Sequence, residues 1–182
     1  MHLGGAAARL YWRSFGPALQ PLPTATREGV ALVAMTMNRE RALIALDRNG
    51  ALVGIAGLRG ARGGILSPSA ADFLATFGRY RGRLRHAASW LHRAGPETYD
   101  LILDGVAVRR HWRGRGVARA LVAAAMEEAR RLGHPALLVE VEARNLDALA
   151  AWQAMGFQSA GRQRLGWPWR ARAHVLRKPL QG

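Results

Sequence analysis

The sequence predicts a mixed α/β fold, and three observations point to it. Residues 101–132, LILDGVAVRRHWRGRGVARALVAAAMEEARRL, pass from an apolar strand through a short basic turn into an amphipathic helix. Residues 42–47 and 51–58 are apolar runs joined across Arg48-Asn49-Gly50, and an Asn-Gly turn between such runs signals a hairpin. Residues 136–142, ALLVEVE, read as a further strand beyond the helix.

The elements follow in chain order. Residues 6–15 and 24–37 read as helices separated by a Pro-containing loop at 16–23, with Thr24 or Thr26 as candidate cap of the second. The hairpin comes next, then a Gly-rich loop at 60–68. Residues 70–94 carry Phe73, Phe77, Tyr80, Leu84, Ala87, Ala88 and Leu91 as a rough apolar stripe, weakened by Gly78 and Gly82, which allow two short helices instead. Residues 59–98 are longer than a strand connection needs. They read as a helical insertion, either a wall over a cleft or added core.

Residues 98–108 form the central strand, interrupted at Asp104-Gly105. A glycine inside a strand marks a bulge or a close backbone approach. In the helix that follows, Ala118, Leu121, Val122, Ala125, Ala129 and Leu132 recur at the spacing of one continuous helical stripe, and Gly133 supplies the stop. Residues 157–163 and 173–180 supply the last two strands, and between them lies a basic aromatic loop, Arg164 to Arg170.

Composition narrows the function. The chain has 182 residues, enough for one domain spanning 1–182 with a real core. Hydrophobic residues make up 49% and charged residues 21%, which is a globular balance. No apolar run approaches a membrane span, and the start lacks the apolar core of a signal peptide, so a cytoplasmic protein without membrane attachment is expected. The absence of cysteine removes disulfides, thiolate metal sites and a Cys nucleophile. The six histidines are scattered and none stands four residues from another, so no metal site is expected.

The net charge is +15 and is unevenly placed. Residues 97–147 carry 8 Arg and 8 acids, residues 59–96 carry 7 Arg and one acid, and residues 148–182 carry 6 basic residues and no acid. The surplus therefore lies outside the central segment. It reads either as a solvated surface or as a contact for an acidic partner or RNA.

The turn Arg113, Gly114, Arg115, Gly116, Val117, Ala118 opens directly into the helix. A helix start presents unpaired N–H groups and the positive end of the macrodipole, glycines let the backbone close on a ligand, and arginines add charge. The pattern is neither a P-loop nor a dinucleotide fingerprint, because Arg119 stands where the third glycine would fall. It matches [Arg/Gln]-x-x-Gly-x-[Gly/Ala] through Arg113, Gly116 and Ala118. That resembles the acetyl-CoA pyrophosphate loop of the GNAT N-acetyltransferase superfamily. After the next strand come Asn145, Ala148, Trp152, Gly156 and Phe157, similar to the superfamily's Asn-x-x-Ala-x-x-x-Tyr-x-x-x-Gly-Phe. The resemblance covers roughly residues 99–180.

The resemblance implies a central mixed, mostly antiparallel twisted sheet flanked by helices. It implies acetyl-CoA as donor and direct transfer of the acetyl group to an amine acceptor, a small molecule or a protein or peptide amine. The absent cysteine agrees, since no enzyme thioester can form. The pantetheine arm would run along the central strand at Val106, Ala107 and Val108, whose N–H groups would stabilise an oxyanion if the bulge splays the strand. Asn145 would contact the pantetheine, and helix capping is its compatible structural role. Such proteins usually begin with a strand, and residues 1–5 offer little for one. A catalytically silent acyl-CoA-binding or nucleic-acid-binding module on the same scaffold is the competing reading.

An alkylammonium with a pKa of about 10 must lose a proton before it attacks. Glu140 lies in Val139-Glu140-Val141-Glu142-Ala143-Arg144-Asn145, which resembles the Leu-Glu-Val-Arg-x-x-Asn segment of ribosomal-protein N-terminal acetyltransferases, where that Glu is the base. Asp104 is the second candidate and Glu142, on the same face as Glu140, the third. An ion pair with one of the arginines is the structural alternative for each. Trp152 stands where the superfamily often places a Tyr acid, and an indole N–H is no useful acid. Tyr99 or water is the candidate substitute, and Trp152 is expected to wall the thioester pocket. The two basic flanks are expected to line the acceptor side, giving a cleft that disfavours a polycation. Monomer and homodimer both fit.

Overall fold

A computed structural model describes residues 3–92, 98–169 and 172–180. The chain opens with α1 (Leu3–Leu19) and α2 (Thr26–Thr36). No strand precedes α1 among the described residues, and residues 3–5 belong to that helix. Neither threonine caps α2. Ala25 occupies the cap position, and Thr24 turns its hydroxyl to the Leu22 carbonyl.

The hairpin β1 (Ala42–Leu46) and β2 (Leu52–Arg59) follows, closed by a turn in which the Asp47 carboxylate accepts from the N–H groups of Asn49 and Ala51. The insertion forms α3 (Ala70–Phe77) and α4 (Arg79–Ser89), separated at Gly78. Residues 93–97 of the expected insertion, including the last two positions of the expected 70–94 helix, lie outside the described residues. Then come β3 (Leu101–Val108), α5 (Val117–Arg131), β4 (Ala136–Glu142), α6 (Leu146–Ala154), β5 (Gln158–Gln163) and β6 (Ala173–Pro179).

The six strands form one sheet in the order β1-β2-β3-β4-β6-β5. Only β3 and β4 are parallel, because α5 carries the chain back between them. Leu121, Val122, Ala125 and Ala129 of α5 pack with Leu101, Leu103, Leu137 and Val139 on one face of the sheet, and α6 joins them there. Ala6, Ala7, Ala8, Tyr11 and Trp12 of α1 pack with Ile55 and Ala107 on the other.

The bulge falls where the Asp104-Gly105 interruption places it. Ala56 pairs with Val106 and Leu58 with Leu103, so Asp104 and Gly105 together face Gly57. Gly105 takes φ +88, and a Cβ on Gly57 would lie 2.6 Å from the Asp104 carbonyl oxygen. The extra residue reverses the alternation of β3. Leu101 and Leu103 point to the α5 side, but after the bulge Val106 does so and Ala107 points to α1.

The insertion departs from expectation. Phe73 and Phe77 are buried as the stripe predicts, whereas Tyr80, Leu84 and Leu91 are exposed. Gly78 at φ +77 breaks the helix and re-aims the second half. Gly82 and Arg85 are the inward residues of α4.

Candidate active site

The sheet splits at its centre. Strands β3 and β4 pair only at Leu101↔Leu137, Ile102↔Leu138 and Leu103↔Val139. Beyond this, β3 stays with β2 up to Val108, while β4 stays with β6 along its whole length. The backbone of Val106, Ala107 and Val108 therefore has no partner strand on its β4 side. Unpaired ladder groups of this kind are a template for an extended ligand.

The turn before α5 sits at the end of that gap. Gly114 and Gly116 adopt φ +73 and +80, and a Cβ on either would meet no atom within 4 Å. Glycine is needed there for backbone conformation, and the space in front is open. The first α5 bond runs from the Ala120 N–H to the Gly116 carbonyl, which leaves the N–H groups of Val117, Ala118 and Arg119 outside the helix ladder. No side chain caps this end and its first turn holds no acid. The Arg113 Nε lies 3.4 Å from the Val108 carbonyl oxygen, and the Arg115 guanidinium lies over the Trp112 ring at 5.2 Å. An open, uncapped, arginine-flanked helix start fits a pyrophosphate.

Asp104 and Glu140 are the first residues past the last β3–β4 pair. Arg59 on β2 holds both: its Nη2 donates to Glu140 Oε2 at 2.7 Å, and its Nε lies 3.7 Å from Asp104 Oδ2. The carboxylate side chains retain 39% and 23% exposure, so an acceptor can reach them. Loss of water raises the pKa of Glu140, opposed by the charge and hydrogen bond of Arg59, with the Asp104 charge pushing it further up. Loss of water likewise raises Asp104, opposed by Arg59 and His92. Two carboxylates against one arginine make the cleft locally acidic. The arginine that meets them, Arg59, comes from the basic flank of residues 59–96, and most other described arginines of the two flanks are exposed.

Tyr11 and Phe15 lie against the Asp104-Gly105 bulge, and a second aromatic group forms around Trp167. The Tyr11 hydroxyl donates to the Asp104 carbonyl oxygen at 3.1 Å, and its pKa is raised chiefly by burial. Phe15 covers Gly105, where a Cβ would come within 2.8 Å of its ring. Trp167 donates from Nε1 to the Ala18 carbonyl at 2.8 Å, stacks on Trp169 and takes His92 edge-on at 5.0 Å. Burial lowers the pKa of His92, with the Asp104 charge acting the other way.

The structure thus brings Asp104, Glu140, Val106, Ala107, Val108 and the 113–118 turn to one gap. It does not bring Tyr99 there. That ring is 90% exposed, and its carbonyl meets His134, beyond the far end of α5. Seven residues of strand, about 23 Å, separate it from Val106. Glu142 lies at the exposed end of β4. Asn145 caps α6 by accepting from the Ala148 N–H at 3.1 Å. Trp152 is half-buried, edge-to-face on Phe157 at 5.2 Å. Tyr11, Arg59 and His92 escape a reading of the sequence, and no local pattern marks them. Tyr11 is 93 positions from Asp104 and Arg59 is 81 from Glu140. Arg170 of the aromatic loop lies outside the described residues. Among the described residues no helix is long and apolar enough to cross a membrane, and no His, Asp and Glu group could hold a metal ion.

Comparison with known proteins is consistent with this geometry. The sequence profile of the Acetyltransferase (GNAT) family matches residues 6–157. An N-acetyltransferase from Staphylococcus aureus Mu50 superposes with a TM-score of 0.66 at 16% identity, over 96% of this chain and 94% of that one. The crystal structure of an acetyltransferase superposes at 0.62 with 19% identity, over 98% and 95%. The yncA protein of Salmonella typhimurium, solved with its cofactor acetyl-CoA, superposes at 0.59 with 16% identity, over 98% and 88%. These likenesses show the fold. No curated protein matches the sequence.

Proposed function

Because the chain belongs to the acetyltransferase (GNAT) family of acyltransferases, we propose that it moves an acetyl group from acetyl-CoA directly to an amine, with Glu140 or Asp104 receiving the ammonium proton. The observation that carries this reading is the meeting of two features at one gap. The uncapped glycine turn lies at its end, and two carboxylates with raised pKa values lie just past the last β3–β4 pair.

Gly114, Gly116 and the N–H groups opening α5 would hold the pyrophosphate. The unpaired edge of Val106, Ala107 and Val108 would align the pantetheine. Bound acetyl-CoA supplies an electrophilic thioester carbonyl and a thiolate leaving group. Arg59 favours the ionised form of both carboxylates against the pull of burial, and an ionised one takes the proton from the entering ammonium. The freed amine then forms its N–C bond as the C–S bond breaks, and the released thiolate takes the surplus proton from the nitrogen. Backbone N–H groups along the gap favour negative charge on the carbonyl oxygen. The leaving sulfur departs without a phenol acid, because Tyr99 is remote, position 152 is an indole and the Tyr11 hydroxyl donates to the Asp104 carbonyl. A thiol pKa near about 8.5 makes this tolerable.

The test is a thermal-shift titration with acetyl-CoA followed by a panel of amines monitored by CoA release. Stabilisation together with amine-dependent release is expected. Stabilisation without release by any amine would instead support the silent acyl-CoA-binding module.

A further inference from the structure

Helix α4, RYRGRLRHAAS, faces the wrong way for an ordinary surface helix. Its inward side carries Gly82, against the Phe73 backbone, and the buried Arg85. Arg85 lies over the Phe77 ring at 4.4 Å and donates to Thr24 Oγ1 at 2.7 Å and to the Pro23 carbonyl at 2.6 Å. On the opposite side of α4 Tyr80, Leu84 and Ala87 recur at positions i, i+4 and i+7, and Leu91 follows in the 3₁₀ turn just past the end of the helix. Tyr80 is 85% exposed and Leu84 63%. Arg83 and the exposed Trp90 flank the line, and α4 holds no acidic residue.

This line ends beside His92. His92 lies two residues beyond Trp90, edge-on to Trp167 and within electrostatic reach of Asp104 and Arg59. From Leu84 to Ser89 the chain rises as an α-helix and from Trp90 to His92 as a 3₁₀ turn, together about 13 Å. About four extended residues span that distance.

We propose that the outward face of α4 is the docking surface for a polypeptide acceptor whose bound segment is apolar and acidic, and whose amine then enters the carboxylate cleft past His92. The proposal rests on the amine-acetylation reading and names its substrate class. Charge decides against a second copy of the chain, since two such helices would bring arginines together without an acid between them. A nucleic acid would leave Leu84 and Leu91 without stacking or hydrogen-bonding partners at the centre of the contact. A bilayer would use the apolar line but not its approach to the cleft.

The probe is a labelled peptide with a free N-terminus, four flexible residues and then a Leu/Glu amphipathic helix. A Leu/Lys version and the four-residue lead alone are the controls. Anisotropy is read first, since it does not depend on turnover. The Leu/Glu peptide is expected to bind about tenfold or more tightly than the Leu/Lys one, and Leu84→Asp and Arg83→Glu should each abolish that difference. Where the lead peptide is turned over, Leu84→Asp should raise KM for the long peptide by a similar factor. It should leave kcat, turnover of the lead peptide and the acetyl-CoA thermal shift unchanged. Equal binding of the two helices, or indifference to Leu84→Asp, overturns the proposal. So does a Leu84-dependent dimer in sedimentation, or Leu84-dependent binding to RNA or phosphatidylglycerol vesicles in place of the peptide. If acetyl-CoA binds and neither peptides nor small amines release CoA, the acetylation reading fails instead.

Discussion

Glu140 and Asp104 sit where burial favours the neutral acid and Arg59 favours the ion. Their raised pKa values mean that the folded chain binds these protons more tightly than the unfolded chain does. Their contribution to stability is therefore lost as pH rises from the ordinary carboxylate value through the folded pKa. Activity runs the other way, because a base must be ionised. The kcat is expected to rise with pH, with a midpoint above the ordinary carboxylate range. Glu140→Gln is expected to lower kcat by about 10²–10⁴ and to remove that limb while acetyl-CoA affinity holds. If Asp104→Asn does so instead, Asp104 is the base. At position 152 the indole packs edge-on against Phe157. Trp152→Phe should keep most activity, and Trp152→Tyr should match or exceed it because a phenol can donate to the departing sulfur. Trp152→Ala should cost about 3 kcal/mol in denaturant unfolding, the low end for an aromatic truncation, since the ring is half-buried. A large kcat loss in Trp152→Phe at unchanged stability would show that the indole N–H itself acts.

At the scale of elements, the turn into α5 carries a separate prediction. Saturation with acetyl-CoA at 100 times Kd should stabilise the fold by about 2.7 kcal/mol. Gly116→Asp should abolish that response, because φ +80 disfavours a side chain and a carboxylate would face the phosphates. An unchanged thermal shift in this variant would move the pyrophosphate elsewhere. The turn and α5 were legible in the sequence because a glycine turn and a helical stripe are local patterns. The bulge at Asp104-Gly105 was legible for the same reason. Helix α4 was not: its stripe of Tyr80, Leu84 and Leu91 reads as a core face and is exposed. Periodicity identifies one face of a helix without saying which neighbour that face meets. Here Arg85 finds the Gln20–Thr24 segment and turns the apolar face outward.

Across the whole molecule the +15 charge acts as a field. Arg109, Arg110, Arg113, Arg115 and Arg119 cluster around the helix start. Raising ionic strength from 0.01 to 0.15 M shortens the screening length from about 30 to about 8 Å, so kcat/KM for the anionic acetyl-CoA should fall over that range. A flat profile would show that the surplus charge does not steer the donor.

The sequence by itself determined the strand–turn–helix, the hairpin turn, the bulge and the Asn145 cap. Each depends on backbone conformation or on neighbours within a few positions. Only the tertiary structure decided that Tyr11, Arg59 and His92 join Asp104 and Glu140, so that two carboxylates of a strongly basic chain share one arginine there. It also decided that Tyr99, on the same stretch as Asp104, lies at the far end of the sheet. The reason is geometric. Pairing β4 with β6 and β3 with β2 pulls the sheet apart at its middle. Which side chains meet in that gap depends on how distant strands and helices close around it, and no local spacing encodes that.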